Sequence, residues 1–180
     1  MERSHSAEQD QDFADVDRAR LLARLSPLLP AGALLSDRED LKPYECDGLS
    51  AYRELPLAVA LPDGEAQVVA VLKACHELGV PVVARGAGTG LSGGALPHRH
   101  GVLLSLARMK RILRLDPAAR LAVVQPGVRN QAVSEAAAPH GLYYAPDPSS
   151  QIACTIGGNA AENSGGVHCL QYGLTRSEEH

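Results

Sequence analysis

Apolar positions along this chain fall into short runs and spaced stripes. Residues 57–61 read LAVAL and 80–84 read VPVVA, two apolar runs of strand length. Between them Val68, Val71, Leu72, Cys75 and Leu78 recur at helical spacing, which predicts a helix over 65–78 with Gly79 at its C-terminal cap. Strand, helix and strand in this order predict a parallel βαβ unit with a right-handed crossover. Further apolar runs predict strands near 102–106, 112–115 and 121–125, the last ended by Pro126–Gly127. Residues 130–138 (NQAVSEAAA) predict a helix that stops before Pro139. Leu21, Leu22 and Leu25 share one face of a helix near 15–26, which Pro27 ends. The first 17 residues are polar and acid-rich and are expected to be frayed, and 36–56 to be mostly loop. One βαβ unit followed by sequential strands gives an α+β fold rather than a doubly wound sheet.

Two glycine-rich stretches interrupt this pattern. The first, ARGAGTGLSGG at 84–94, follows the VPVVA strand and holds Gly86, Gly88, Gly90, Gly93 and Gly94. Backbone N–H groups in such a loop can turn together into a nest for anions, phosphates above all. Gly88, Gly90 and Gly93 match G-x-G-x-x-G, but ALPHRHG follows, so no helix opens behind the loop and no carboxylate ends the next strand. The motif is therefore strand, loop, strand and not a Rossmann turn, and no Gly-Lys-Ser/Thr is present. The second stretch, PDPSSQIACTIGGNAAENSGG at 146–166, predicts a short helix over 156–163, with the Thr155 hydroxyl accepting a first-turn N–H. Two such loops suit a large phosphate-bearing ligand held at more than one place; the plain alternatives are a glycine-rich surface turn for the first and a helix–loop junction with a Gly pair for the second.

Composition narrows the partners. A formal net charge of −4, no Trp and one Phe argue against nucleic acid, which calls for basic surface and aromatic platforms. Arg108, Lys110, Arg111 and Arg114 read as the solvated edge of a strand. Cys46, Cys75, Cys154 and Cys169 lack metal-site spacing and read as reduced thiols, with Cys75 on the apolar stripe. His98 and His100 read as exposed, and no metal is expected. Neither a signal peptide nor an apolar run long enough to cross a bilayer is expected.

VPVVARGAGTGLSGGALP, the second loop and the later YGLT together resemble the FAD-binding domain of the vanillyl-alcohol oxidase / p-cresol methylhydroxylase superfamily. The resemblance covers roughly residues 40–176 and extends to YECDGLSAYRELP and LPDGEAQVVAVLKAC. It is strongest to the branch of glycolate oxidase flavin subunits and D-lactate and D-2-hydroxyglutarate dehydrogenases. It implies a PCMH-type FAD-binding domain of two α/β lobes. The polar start and leader helix would occupy 1–35, the first lobe 36–128 and an incomplete second lobe 129–180, with the substrate domain absent. The implied cofactor is FAD, held by Arg85, Gly86, Ala87, Gly88, Thr89, Gly90, Leu91, Ser92, Gly93 and Gly94 of the first loop and by Pro126 and Gly127. The second loop would add Pro146, Cys154, Thr155, Ile156, Gly157, Gly158, Asn159, Glu162, Ser164, Gly165 and Gly166. Thr89 stands where some members carry a flavin-linking His, so the FAD is expected to be non-covalent. The implied activity is oxidation of a 2-hydroxy acid of the glycolate or D-lactate type, with hydride transfer from the substrate Cα to flavin N5. The alternatives are an inactive flavin-binding fragment, or an FAD reductase of the same superfamily with another substrate. The resemblance also implies FAD-binding and iron–sulfur companion subunits and a cytoplasmic location, peripheral at the inner membrane through them. The chain is expected to be an N-terminal fragment, inactive by itself, and no residue in it is given a catalytic role.

Overall fold

The computed structural model describes residue 13 and residues 16–176. Most of the polar start expected to fray, and the terminal SEEH, lie outside the described residues. The chain forms two compact units. One holds the residues up to Ala84 together with Leu91–Ser105; the other holds Arg85–Gly90 and the chain from Leu106 onward. The first glycine loop is divided between the units, 85–90 in one and 91–94 in the other.

In the first unit, helix α1 (Arg18–Leu25) starts at Asp17, whose carboxylate accepts the Arg20 N–H at 3.1 Å. Its inner residues Leu21 and Leu25 are fully buried. The elements that follow are β1 (Leu34–Leu35), α2 (Arg38–Leu41), β2 (Ala58–Ala60), α3 (Glu65–Glu77), β3 (Val82–Arg85) and β4 (Val102–Ser105). They form a sheet of order β1-β2-β4-β3. Strand β1 is antiparallel to β2, and β2 pairs parallel with β4, Val59 opposite Leu103. The Val102 N–H donates to the Pro81 carbonyl and the Leu106 N–H to the Arg85 carbonyl, at one common offset, so β3 runs parallel to β4. The βαβ unit is therefore present with β4 lying between its two strands. Strands β2 and β4 are buried along their whole length, the mark of central parallel strands covered on both faces. Neither β1 nor α2 was expected within 36–56 and its flank, because two and four residues are too few to carry a period.

Helix α3 buries Val71, Ala74 and Cys75, while Leu72 turns half out to solvent. Gly79 follows it with φ +65°, as a C-terminal cap requires. His98 and His100 are not exposed as read from the turn sequence. They are half-buried, and the Phe13 ring meets His98 edge-on at 5.5 Å.

Burial pushes the Cys75 thiol up to about 11. An unfolded thiol ionises near 8.5, so the folded state holds its proton over a window in which the unfolded state loses it. Stability is full below the ordinary cysteine value and falls as pH rises toward 11, by about 1.4 kcal/mol per pH unit from this group alone. Chemical denaturation between pH 8 and 11 should show this slope, and a Cys75→Ala variant should lack it. A slope identical in the two proteins would exclude Cys75 as its source.

The second unit contains the antiparallel hairpin β5 (Ile112–Asp116) and β6 (Leu121–Val124), then α4 (Asn130–Ala137), α5 (Ile156–Glu162) and α6 (Cys169–Tyr172). Met109, Val128, Val133 and Ala137 form its buried apolar centre. The expected strands at 112–115 and 121–125 and the helices at 130–138 and 156–163 agree with it to within a residue. The single turn α6 was not foreseen. Among the described residues no helix is long and apolar enough to cross a membrane. None of the four cysteines forms a disulfide among the described residues; Cys75 and Cys154 are buried and Cys46 and Cys169 half-buried.

Candidate functional site

The first glycine loop begins where β3 ends. Arg85 is buried, and its carbonyl accepts the Leu106 N–H at 3.0 Å. From there Gly86–Gly90 runs along one face of α5. A Cβ on Gly86 would collide with Thr155 Oγ1 and lie 3.5 Å from the Gly158 nitrogen; one on Gly90 would lie 3.6 Å from Glu162 Oε1. Thr155, Gly158 and Glu162 recur at helical spacing, so a single face of α5 follows the loop. The two glycine-rich segments are thus brought together over 86–90 and 155–162. Gly88 is held at φ +70° over the Arg85 guanidinium. The remaining loop residues Leu91, Ser92, Gly93 and Gly94 belong to the other unit, where Leu91 is 72% exposed and the Gly93 carbonyl accepts the Leu96 N–H.

The start of α5 is built by Pro126–Gly127 and its neighbours. The Pro126 carbonyl accepts the Gly157 N–H and the Val128 carbonyl the Ile156 N–H, each at 2.8 Å. A Cβ on Gly157 would sit 2.6 Å from the Pro126 ring, so only glycine lets helix and turn come this close. Thr155 does take the N-cap position, with extended backbone, but its hydroxyl makes no capping bond. Carbonyls of the preceding turn already hold the first amides, and Oγ1 is turned toward Gly86. That hydroxyl is buried and has no partner among the described residues; neither has Asn159 Nδ2. A buried polar atom left unpaired costs about 1–3 kcal/mol.

The rest of the second loop plays a supporting part. Asn163 adopts φ +52°, and its side-chain carbonyl accepts the Arg176 N–H at 2.9 Å. The Ser164 carbonyl accepts both the N–H and the hydroxyl of Thr175. Gly165 packs on Leu174 and Cys169, and Gly166 on Asp147, with no room for a Cβ at either. Cys154 is buried, and its carbonyl accepts the Asn130 N–H at 2.9 Å. Pro146 supplies a carbonyl to Asn130 Nδ2 at 3.0 Å. Asn130 was missed in the sequence, where it reads only as a helix start. It is 1% exposed and ties α4 to both ends of the 146–154 segment. Asp147 and His168 were also missed: Oδ2 lies 2.6 Å from Nδ1, and this bond holds the Asp147 carboxyl below the usual aspartate range. A bond across 21 residues leaves no local signal.

These features fit a nucleotide cofactor: a loop free of side-chain bulk along 86–90, a helix face of small residues beneath it, and a buried hydroxyl and amide awaiting partners. The sequence matches the FAD binding domain family over residues 56–178. The chain belongs to this family. FAD is accordingly its cofactor. The domain is 63% identical over 166 residues to glycolate oxidase subunit GlcD of Escherichia coli (strain K12), covering 92% of this chain and 33% of that protein. It is 42% identical over 119 residues to the D-lactate dehydrogenase of Archaeoglobus fulgidus, covering 66% of this chain and 26% of that one. Among solved structures, alkyldihydroxyacetonephosphate synthase superposes with a TM-score of 0.78 at 21% identity, covering 87% of this chain and 31% of that one. p-Cresol methylhydroxylase superposes with a TM-score of 0.72 at 23% identity, covering 81% and 29%. The expected α+β fold of p-cresol methylhydroxylase type therefore stands. This FAD-binding domain spans about a third of the length of the curated relatives it matches.

Proposed function

We propose that this chain is the FAD-holding part of a flavin-dependent dehydrogenase or oxidase acting on a 2-hydroxy acid of the glycolate or D-lactate type. The observation that carries the reading is the placement of Gly86–Gly90 along the Thr155–Gly158–Glu162 face beside an unpartnered buried hydroxyl. The likeness to GlcD and to a D-lactate dehydrogenase supports the substrate class. When bound, FAD supplies the acceptor, at flavin N5, for the hydride leaving the substrate Cα. This chain's own residues bind and orient. The loop amides of 86–90 approach the cofactor phosphates, Thr155 Oγ1 and Asn159 Nδ2 donate into the site, and Asn130 and the 163–166 turn keep α5 in place. Thr89 offers no nucleophile for attachment, so the cofactor is held without a covalent bond. The likeness to a glycolate oxidase subunit supports companion subunits, and the family resemblance adds iron–sulfur and FAD-binding ones and a cytoplasmic location, peripheral at the inner membrane through them.

Titration with FAD and with NAD tests the cofactor. Quenching of flavin fluorescence should report FAD binding, and NAD should not compete. Preferential NAD binding would sink the reading. Acid or heat denaturation should release all flavin into the supernatant, and a pellet that stays yellow would contradict the non-covalent attachment.

A further inference from the structure

A cavity of about 500 Å³ opens within the second unit beside the first glycine loop. Gly86, Ala87, Val128 and Thr155 line it, and its cations are Lys110 and Arg129. Thr155 contributes a buried hydroxyl without a partner among the described residues. Most amides at the helix starts nearby are already committed. Those of Asn130 and Gln131 donate to the Cys154 and Gln151 carbonyls, and those of Ile156 and Gly157 to Val128 and Pro126. Backbone amides carry no net charge, so full countercharge for an anion entering the cavity comes from side chains. Arg129 is partly committed, since it donates to the Ile152 carbonyl at 3.3 Å and lies 3.9 Å from Glu135. The Lys110 ammonium has no ion pair among the described residues, and the residue sits exposed on the turn after β4.

We propose that Lys110, assisted by Arg129, supplies the positive charge that holds a diphosphate-bearing ligand in this cavity. The proposal rests on the FAD reading and adds to it a charged contact that glycine amides alone do not provide. Lysine acts here as a point charge on a flexible stem, able to follow either phosphate.

The test is the binding of FAD, ADP and inorganic pyrophosphate to the chain and to its Lys110→Gln and Lys110→Arg variants, at low and at physiological salt. Flavin fluorescence reads the first ligand and calorimetry the other two. Lys110→Gln should weaken all three by about three- to tenfold at low salt, the worth of one charge-assisted contact discounted for exposure. It should also flatten the salt dependence, while Lys110→Arg restores both and the melting temperature stays that of the wild type. Wild-type affinity and salt slope in Lys110→Gln would overturn the proposal, as would failure of the wild type to bind ADP or pyrophosphate. Lys110-dependent ADP binding with no FAD binding would leave the clamp standing and remove the cofactor reading. FAD binding indifferent to Lys110 would do the reverse, and binding of no ligand would remove both.

Discussion

Replacing Gly88 by Val is expected to weaken FAD binding at least about thirtyfold, the effect of 2 kcal/mol or more of left-handed strain in a β-branched residue. Gly88 sits at φ +70°, where a Cβ meets the following carbonyl, and its own Cβ position is filled by the Arg85 guanidinium. An empty loop can relax away from that geometry. A loop closed on FAD cannot, so the strain is felt in the affinity. Gly90→Val is the control. The sequence treats the two glycines alike, but Gly90 lies outside the left-handed region, and a Cβ there would rest 3.6 Å from Glu162 Oε1, an ordinary contact. It should retain most of the binding. Flavin titration of both variants decides the point: equal losses, or none at either site, would show that the conformation at 88 is not what the cofactor needs.

The second large effect falls on stability. Gly127→Ala should destabilise the second unit by about 3 kcal/mol. Gly127 is buried, its N–H donates to the Met109 carbonyl at 2.8 Å, and an added Cβ would run into the Leu106 carbonyl and sit 2.7 Å from that of Met109. Backbone oxygens cannot swing aside as a side chain can. The 106–110 turn would have to move, and with it the Pro126 and Val128 carbonyls that hold the start of α5. Hydrogen exchange should then show the amides of 127, 156 and 157 exposed, while the β2 and β4 amides keep their protection. Gly64→Ala is the comparison: its backbone is extended and nothing lies within 4 Å of the new methyl, so only the poorer N-cap is felt and the loss should stay within about 1 kcal/mol. Losses of similar size in the two variants would mean that the close approach at 127 contributes nothing.

Much of this domain is written locally. The LAVAL and VPVVA runs and the Val71–Cys75 stripe specify β2, α3 and β3, because each element's period or continuous burial shows within its own window. Pro126–Gly127 ends β6, and Thr155 begins α5, for reasons of backbone geometry that act over one or two residues. The glycine density of 84–94 and 157–166 marks both loops, since so many residues without side chains are costly to order without a close approach to permit. Tertiary structure decided what each glycine is for. Gly88 serves conformation, whereas Gly86, Gly127 and Gly157 serve close packing against the Thr155 hydroxyl, the Leu106–Met109 backbone and Pro126, a distinction that depends on which chain segment arrives opposite. It also turned the Thr155 hydroxyl toward Gly86 and away from its expected cap, while the Val128 and Pro126 carbonyls take the first two amides of α5. The insertion of β4 between the strands of the βαβ unit, the division of one glycine loop between two units, and the pairing of Asp147 with His168 and of Asn130 with Pro146 all join residues distant in the chain. No local period or propensity encodes such meetings; they follow from burying one set of apolar faces together and then satisfying the polar groups left inside.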